Sequence, residues 1–176
     1  MSANGARRIL DIGIGNGAHA EAILSDQTRR LTGIDIVTPP VWPDLRDRFG
    51  DRIELHEADF LGWAPSSDAF DFVMDLGCYH HQAPEAHAPY LEKIRALTTR
   101  RGRFLLCVYG AEPEAASAVS EEKTDHGRLS YRFTPDALEA RLADAGFESI
   151  ELKRVERPSL REHYLVAVSG PARSRS

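Results

Sequence analysis

The stretch Ile9-Leu10-Asp11-Ile12-Gly13-Ile14-Gly15-Asn16-Gly17 decides how this chain is read. An apolar run of strand length, residues 8–12, breaks into alternating glycines. Ala20, Ile23 and Leu24 then recur at helical spacing, so a helix is expected over residues 17–24. Glycine lets the main chain turn tightly and come close to a ligand, and a helix N-terminus offers N–H groups without intrahelical partners. Together these features predict a ligand-binding loop. Gly13, Gly15 and Ala18 also satisfy the looser dinucleotide pattern G-x-G-x-x-A, so a nicotinamide enzyme stays open at this point.

Outward from the loop, strand-length apolar runs recur at 31–36, 52–56, 70–75 and 103–109, separated by polar or helix-like segments. Such alternation predicts an α/β fold with a parallel sheet covered by helices. The continuous run Phe104 to Tyr109 is expected mid-sheet, buried on both faces. Tyr90, Leu91, Ile94 and Leu97 share a stripe that predicts a helix over 89–97. Thr134-Pro135-Asp136 is a helix start, with a hydroxyl cap, a proline in the first turn and an acid at the positive end; this helix should stop at Gly146. The second helix is expected to be weakened by Pro39, Pro40 and Pro43. Two later runs, 149–155 and 163–168, are too close for a parallel crossover and are expected to form an antiparallel hairpin. Residues 110–134 have no clear periodicity, which predicts a functional loop, a short lid helix or disorder.

With 176 residues, the chain suits one domain over 1–170, including a lid or substrate loop at 110–133, and a disordered tail at 171–176. Lys and Arg number 22 against 27 Asp and Glu, a formal net charge of -5, so there is no long-range attraction for a phosphate backbone and nucleic acid is not an expected partner. Arg100, Arg101 and Arg103 are read as solvated turn residues. Cys78 and Cys107 form no C-x-x-C pair and suit reduced thiols in a cytoplasmic protein. No run is long and apolar enough for a membrane span, so no membrane partner is expected. Cys78, His80 and His81 lack a second ligand cluster at recognised spacing, so no metal is expected.

Three carboxylates narrow the ligand. Asp11, two residues before the first glycine, suits a cationic amino acid moiety and would repel a pyrophosphate. Asp35 closes the second strand, where a carboxylate can accept both hydroxyls of a ribose. Asp59-Phe60 follows the third strand, where an acceptor and an aromatic ring suit the amino group and face of an adenine. The set describes an adenosine pocket beside a site for a cationic amino acid.

On these residues the sequence resembles the class I S-adenosylmethionine-dependent methyltransferase family over nearly its whole length. The matching segments are the glycine loop with Asp11, the Leu31-Thr32-Gly33-Ile34-Asp35-Ile36 strand end, Ala58-Asp59-Phe60 and Phe70-Asp71-Phe72-Val73-Met74-Asp75. The following Leu76-Gly77-Cys78-Tyr79-His80-His81 is similar to the post-strand segment of small-molecule members. The resemblance implies a Rossmann-like seven-stranded sheet of order 3-2-1-4-5-7-6, strand 7 antiparallel, with helices on both faces. It implies S-adenosyl-L-methionine as cofactor, S-adenosyl-L-homocysteine as product, and cofactor contacts from Asp11, Gly13, Gly15, Asn16, Gly17, Asp35, Ile36, Asp59, Phe60 and Asp75. The chain departs from the family in carrying Arg100-Arg101-Gly102 where a Pro-Gly-Gly turn is usual, and in beginning strand one almost at its first residue. The acceptor side is therefore expected to be open, or covered by the 110–134 segment or by another copy in a homo-oligomer.

The expected activity is methyl transfer to a small-molecule metabolite by in-line displacement. Positioning alone supplies effective molarities of about 10^5 to 10^8 M, and a general base adds roughly 10^2 to 10^4, so a base is optional. His80 and His81, after the fourth strand, are the candidates for one, with a helix-entry role as the structural alternative. Tyr109, Tyr131 and Arg132 border the lid as weaker substrate candidates, followed by His126 and Arg128. Two other readings stand beside the first: a non-methylating cyclisation or rearrangement on the same fold, and a noncatalytic methyltransferase-like subunit that binds a partner through its uncovered face.

Overall fold

The computed structural model describes residues 5–65, 69–112, 114–115, 117, 119–123, 129–157 and 162–171. In chain order the elements are β1 (Arg8–Ile12), α1 (Ala20–Leu24), β2 (Arg30–Asp35), α2 (Trp42–Phe49), β3 (Ile53–Glu57) and β4 (Phe70–Asp75). After a single 3-10 turn at Tyr79–His81 come α3 (Pro84–Leu97), β5 (Thr98–Tyr109), β6 (Val119–Lys123), β7 (Leu129–Phe133), α4 (Pro135–Asp144), β8 (Phe147–Arg157) and β9 (Glu162–Pro171).

Seven strands form one sheet of order β3-β2-β1-β4-β5-β9-β8. The pairings from β3 to β5 are parallel, and β9 runs antiparallel to both β5 and β8. With the inserted β6–β7 ribbon set aside, this is the expected order 3-2-1-4-5-7-6. Side chains alternate across each strand, so successive residues feed opposite cores. Leu10, Ile34 and Val73 join Tyr90, Leu91 and Ile94 of α3 and Leu138 and Leu142 of α4. Ile9, Leu31 and Met74 join Ala20 and Leu24 of α1 and Trp42 of α2 on the other face.

Several boundaries differ from the sequence reading, each for a local reason. Residues 17–19 form turns, so α1 spans only five residues from Ala20. The second helix forms despite its prolines, because Pro43 sits in its first turn, where a missing N–H removes no intrahelical bond. The third helix starts at Pro84, five residues before the expected start, with Pro89 inside it. Within the segment read as a loop, lid helix or disorder, residues 119–123 and 129–133 are strands: β6 and β7 pair antiparallel from Val119↔Phe133 to Lys123↔Leu129. This ribbon docks on the end of β5 through Gly110↔Phe133 and an Ala111 N–H bond of 2.8 Å to the Phe133 carbonyl. His126, Arg128 and residues 172–176 lie outside the described residues. No helix among the described residues is long and apolar enough to cross a membrane.

The join between β4 and α3 depends on one carboxylate. Asp75 is fully buried and accepts the N–H groups of Gly77, Cys78 and Tyr79 at 2.9, 2.7 and 2.9 Å, and the Tyr90 hydroxyl at 2.7 Å. Burial pushes its carboxyl up, against the lowering effect of these four bonds. Asp75→Ala leaves four donors without their acceptor. It is expected to destabilise the fold by at least about 2 kcal/mol, read as a lower urea midpoint with an unchanged slope.

Candidate functional site

At the C-terminal ends of β1, β2 and β4 the chain encloses a cleft of about 490 Å³, in the size range of small-molecule and cofactor sites. One wall is the glycine loop. Gly13 has φ +75°, and a side chain there would collide with the Cys78 Sγ, so only glycine allows this close approach to the segment after β4. Gly17 has φ +69° and packs under Leu45 of α2. The loop is pinned from outside by the Trp42 indole N–H, which donates to the Gly15 carbonyl at 2.9 Å.

Asp35 ties the loop to the end of β2. Its Oδ2 accepts the Gly15 N–H at 2.9 Å and its Oδ1 the Val37 N–H at 3.3 Å. A carboxylate offers about four acceptor positions, so two remain toward the cleft that Asp35 lines. Ile36 and Val37, 62% and 56% exposed, form an apolar rim beside it. Opposite, Asp59 and the buried ring of Phe60 contribute to the wall. Phe60 packs 4.7 Å from Tyr90, and Lys93 fixes this turn by donating to the carbonyls of Phe60, Leu61 and Trp63.

Asp11 supplies the strongest electrostatic feature. It lines the cleft from β1 while only 3% exposed, and its carboxyl is pushed up to about 7, first by burial and then by the charges of Asp75 and Asp35. His19 is the one residue with a basic side chain among the described wall residues. An acidic, half-apolar cleft of this kind suits a ligand with cationic groups and a flat apolar part.

The expected cofactor residues therefore separate into two groups. Asp11, Gly13, Asp35, Ile36, Asp59 and Phe60 line the cleft. Gly15, Asn16, Gly17 and Asp75 are not among the described wall residues: Gly15 and Gly17 shape the loop, Asn16 lies exposed on it, and Asp75 is turned to main-chain N–H groups and Tyr90. The wall also contains Ala18, His19, Val37, Leu76, Gly77, Cys78, Gln82 and Tyr90, which the sequence reading did not assign. Val37 directly follows the assigned Asp35-Ile36 pair, which was a usable signal. Tyr90 left none, because its ring reaches the cleft only through the packing of α3.

His80 and His81 also lie off the cleft wall. The buried His80 ring packs 4.2 Å from Tyr109 and 4.3 Å from His81, and His81 Nδ1 lies 2.8 Å from the Leu129 carbonyl of β7. Tyr109 stacks on Tyr164 at 5.3 Å, and the Arg132 guanidinium sits 5.3 Å from the centre of the Tyr109 ring. The two histidines thus join the post-β4 turn to the β6–β7 ribbon. Tyr131, 6% exposed, bonds Glu121 across the ribbon at 3.2 Å. No group of three His, Cys, Asp or Glu among the described residues could hold a metal ion.

The fold has clear counterparts among known proteins. The chain is 32% identical to the Burkholderia thailandensis 1,6-didemethyltoxoflavin-N1-methyltransferase, whose structure contains 1,6-didemethyltoxoflavin and S-adenosylhomocysteine; the match covers 96% of this chain and 72% of that one, with a TM-score of 0.84. It is 25% identical over 169 residues to a tRNA U34 carboxymethyltransferase of Alteromonas mediterranea, covering 89% of this chain and 49% of that protein. The chain thus spans about half the length of the curated relatives it matches. The cyclase SpnF shares the fold, with a TM-score of 0.76 at 16% identity. A family model for the methyltransferase domain matches residues 9–102, over half of the chain. The chain therefore belongs to the methyltransferase-domain family of S-adenosylmethionine-dependent enzymes.

Proposed function

We propose that the chain transfers the methyl group of S-adenosylmethionine to a nucleophilic atom of a small-molecule metabolite by in-line displacement. The observation that carries this reading is the acidic cleft in which Asp11 and Asp35 flank the glycine loop. The donor set fits the cofactor: Asp35 would accept the ribose hydroxyls, Asp59 the adenine amino group, and Asp11 would face the cationic amino acid part. Ile36, Val37 and Phe60 would cover the adenine. When bound, the cofactor supplies an activated methyl group whose sulfur departs neutral, so the protein's main task is orientation.

The chain's own residues perform that task through rigidity. Asp75 holds the main chain of 77–79, so Gly77, Cys78 and Gln82 form a fixed cleft wall, and Gln82 is itself held by its side-chain bond of 3.1 Å to the Cys78 carbonyl. The β6–β7 ribbon, joined to this segment by His81, would border the acceptor. Its aromatic neighbours Tyr109 and Tyr164 suit a planar acceptor, and the Burkholderia relative holds a small molecule, 1,6-didemethyltoxoflavin. A second reading, transfer to RNA, is favoured by the names of the curated relatives. The acidic cleft and the net charge of -5 oppose the approach of phosphates.

The deciding assay incubates the protein with S-adenosylmethionine and either a panel of nitrogen heterocycles and other metabolites or unmodified tRNA. Mass spectrometry should find one added methyl on a small molecule together with S-adenosylhomocysteine. Methylated tRNA alone would replace this reading with the second, and a product without an added methyl would point to a rearrangement.

Two binding experiments probe the cleft. Asp35→Ala removes both the ribose acceptor and the anchor of Gly15, and should weaken S-adenosylhomocysteine binding at least about tenfold by calorimetry. Asp11 gives a pH dependence with a definite sign. Its carboxyl, at about 7 in the folded chain, is charged above that pH, so affinity should rise from pH 6 to 8 by about tenfold and become flat in Asp11→Asn. The folded state holds a proton on Asp11 that the unfolded chain loses near 3.8, so stability declines as pH rises between these values. Asp11→Asn should therefore raise the melting temperature of the ligand-free protein at pH 8 while weakening its cofactor binding.

A further inference from the structure

The turn that follows β3 belongs to no helix or strand, yet it carries Asp59 and Phe60 into the wall of the cofactor cleft. Its internal bonds are few. The N–H groups of Gly62 and Trp63 donate to the Asp59 carbonyl at 3.1 and 2.9 Å, and the Ala58 N–H joins the start of the turn to the sheet through the Asp35 carbonyl at 2.8 Å. Asp59 is exposed, and among the described residues its carboxylate takes one bond, 3.3 Å long, from the Gly62 N–H. The direction in which this carboxylate faces therefore depends on what holds the main chain of the turn.

That hold comes from α3. The Lys93 ammonium donates to the carbonyls of Phe60 and Leu61 at 2.6 and 2.9 Å and also to that of Trp63, so each of its three N–H groups has a main-chain acceptor. Among the described residues it is the one donor to these three carbonyls. The same ammonium lies 5.0 Å from the centre of the Phe60 ring, and that ring packs 4.7 Å from Tyr90, one turn earlier on the same face of α3. Lys93 and Asp59 act on each other by charge and form no ion pair, because the donors of the lysine are taken by carbonyls. The acceptor positions of Asp59 stay available to the cleft.

We propose that Lys93 is a positioning residue for base selection: by clamping the carbonyls of Phe60, Leu61 and Trp63 it sets the Asp59 carboxylate to accept the 6-amino group of an adenine and to repel the 6-oxo group of a hypoxanthine or guanine. The inference rests on the adenosine reading of the cleft given above. A carboxylate has acceptors and no hydrogen to donate, so a 6-oxo base meets it acceptor against acceptor. Such a site discriminates because the wrong base leaves polar groups unpaired. An exposed carboxylate on an unclamped turn swings aside from the oxo group, and the discrimination is lost. A compact ammonium with three rotatable donors suits three converging carbonyls better than a planar guanidinium does.

The test measures by calorimetry, on the full chain, the affinities of S-adenosylhomocysteine and of its 6-oxo analogue S-inosylhomocysteine in the unaltered protein, Lys93→Met, Lys93→Arg and Asp59→Asn. The unaltered protein should prefer the adenine compound by at least about tenfold. Lys93→Met should lose most of this preference, weakening S-adenosylhomocysteine about tenfold and changing S-inosylhomocysteine by less than about threefold, with Lys93→Arg between the two proteins. A lysine that only stabilised the fold would weaken both ligands alike; that result, or a preference kept intact in Lys93→Met, overturns the proposal. If thermal unfolding shows that Lys93→Met is not folded, Lys93→Gln takes its place under the same criteria. Asp59→Asn tests the underlying reading, and should abolish the preference because an amide offers both a donor and an acceptor. No preference in the unaltered protein, or one that survives in Asp59→Asn, removes the Asp59 reading and the proposal with it. A preference lost in Asp59→Asn and kept in Lys93→Met overturns the role of Lys93 alone.

Discussion

The buried carboxylate of Asp75 is the interaction on which the arrangement of this protein depends. A parallel strand that ends in the middle of a sheet leaves the following main chain with N–H groups to satisfy out of reach of water. Asp75 receives three of them on two oxygens and adds the hydroxyl of Tyr90, so β4, the post-strand turn and α3 are fastened at one point. Gly77 and Cys78 of the cleft wall and the ring of Tyr90 are fixed by the same set of bonds. Because Asp75 lies beside Ile12 in the sheet, its charge is also felt by Asp11, the neighbour of Ile12.

That coupling explains how stability and ligand preference are connected. Asp11 and Asp75 are both buried, and Asp35 adds a third acid at the head of the cleft, an arrangement unfavourable to the empty fold. A cationic group beside Asp11 would offset this repulsion, which suits the charged amino acid part of the cofactor. Glycines complete the arrangement by removing the side chains that would keep the loop away from Cys78 and Leu45.

The sheet was legible because its signals are local. Strand-length apolar runs, the Thr134-Pro135 start and the glycine loop each specify the main chain without reference to distant residues, and the order of the seven strands agrees with the family resemblance. Misreadings arose where local signals compete. Pro43, read as weakening the second helix, was accommodated in its first turn, and Pro89, read as a helix start, lies within α3. In the β6–β7 ribbon Leu129, Tyr131 and Phe133 alternate with Ser130 and Arg132, but the partner sequence Val119–Lys123 is mostly polar, and the docking onto Gly110 and Ala111 is a contact no periodicity reports.

The candidate site divides in the same way. The sequence alone determined the glycine loop, the acids near the ends of β1 and β2, and the turn at Asp59, since spacing along a strand fixes which residues emerge at its C-terminal edge. Only the tertiary structure decided which of them line the cleft. Asp75 turned toward the protein because three amides and a tyrosine from another element surround it, and His80 and His81 turned toward β5 and β7 because Tyr109 and Leu129 offered ring and carbonyl partners. The pairing of Arg8 with Arg30 was equally invisible, since it depends on strand register, which relates residues across the sheet and not along the chain.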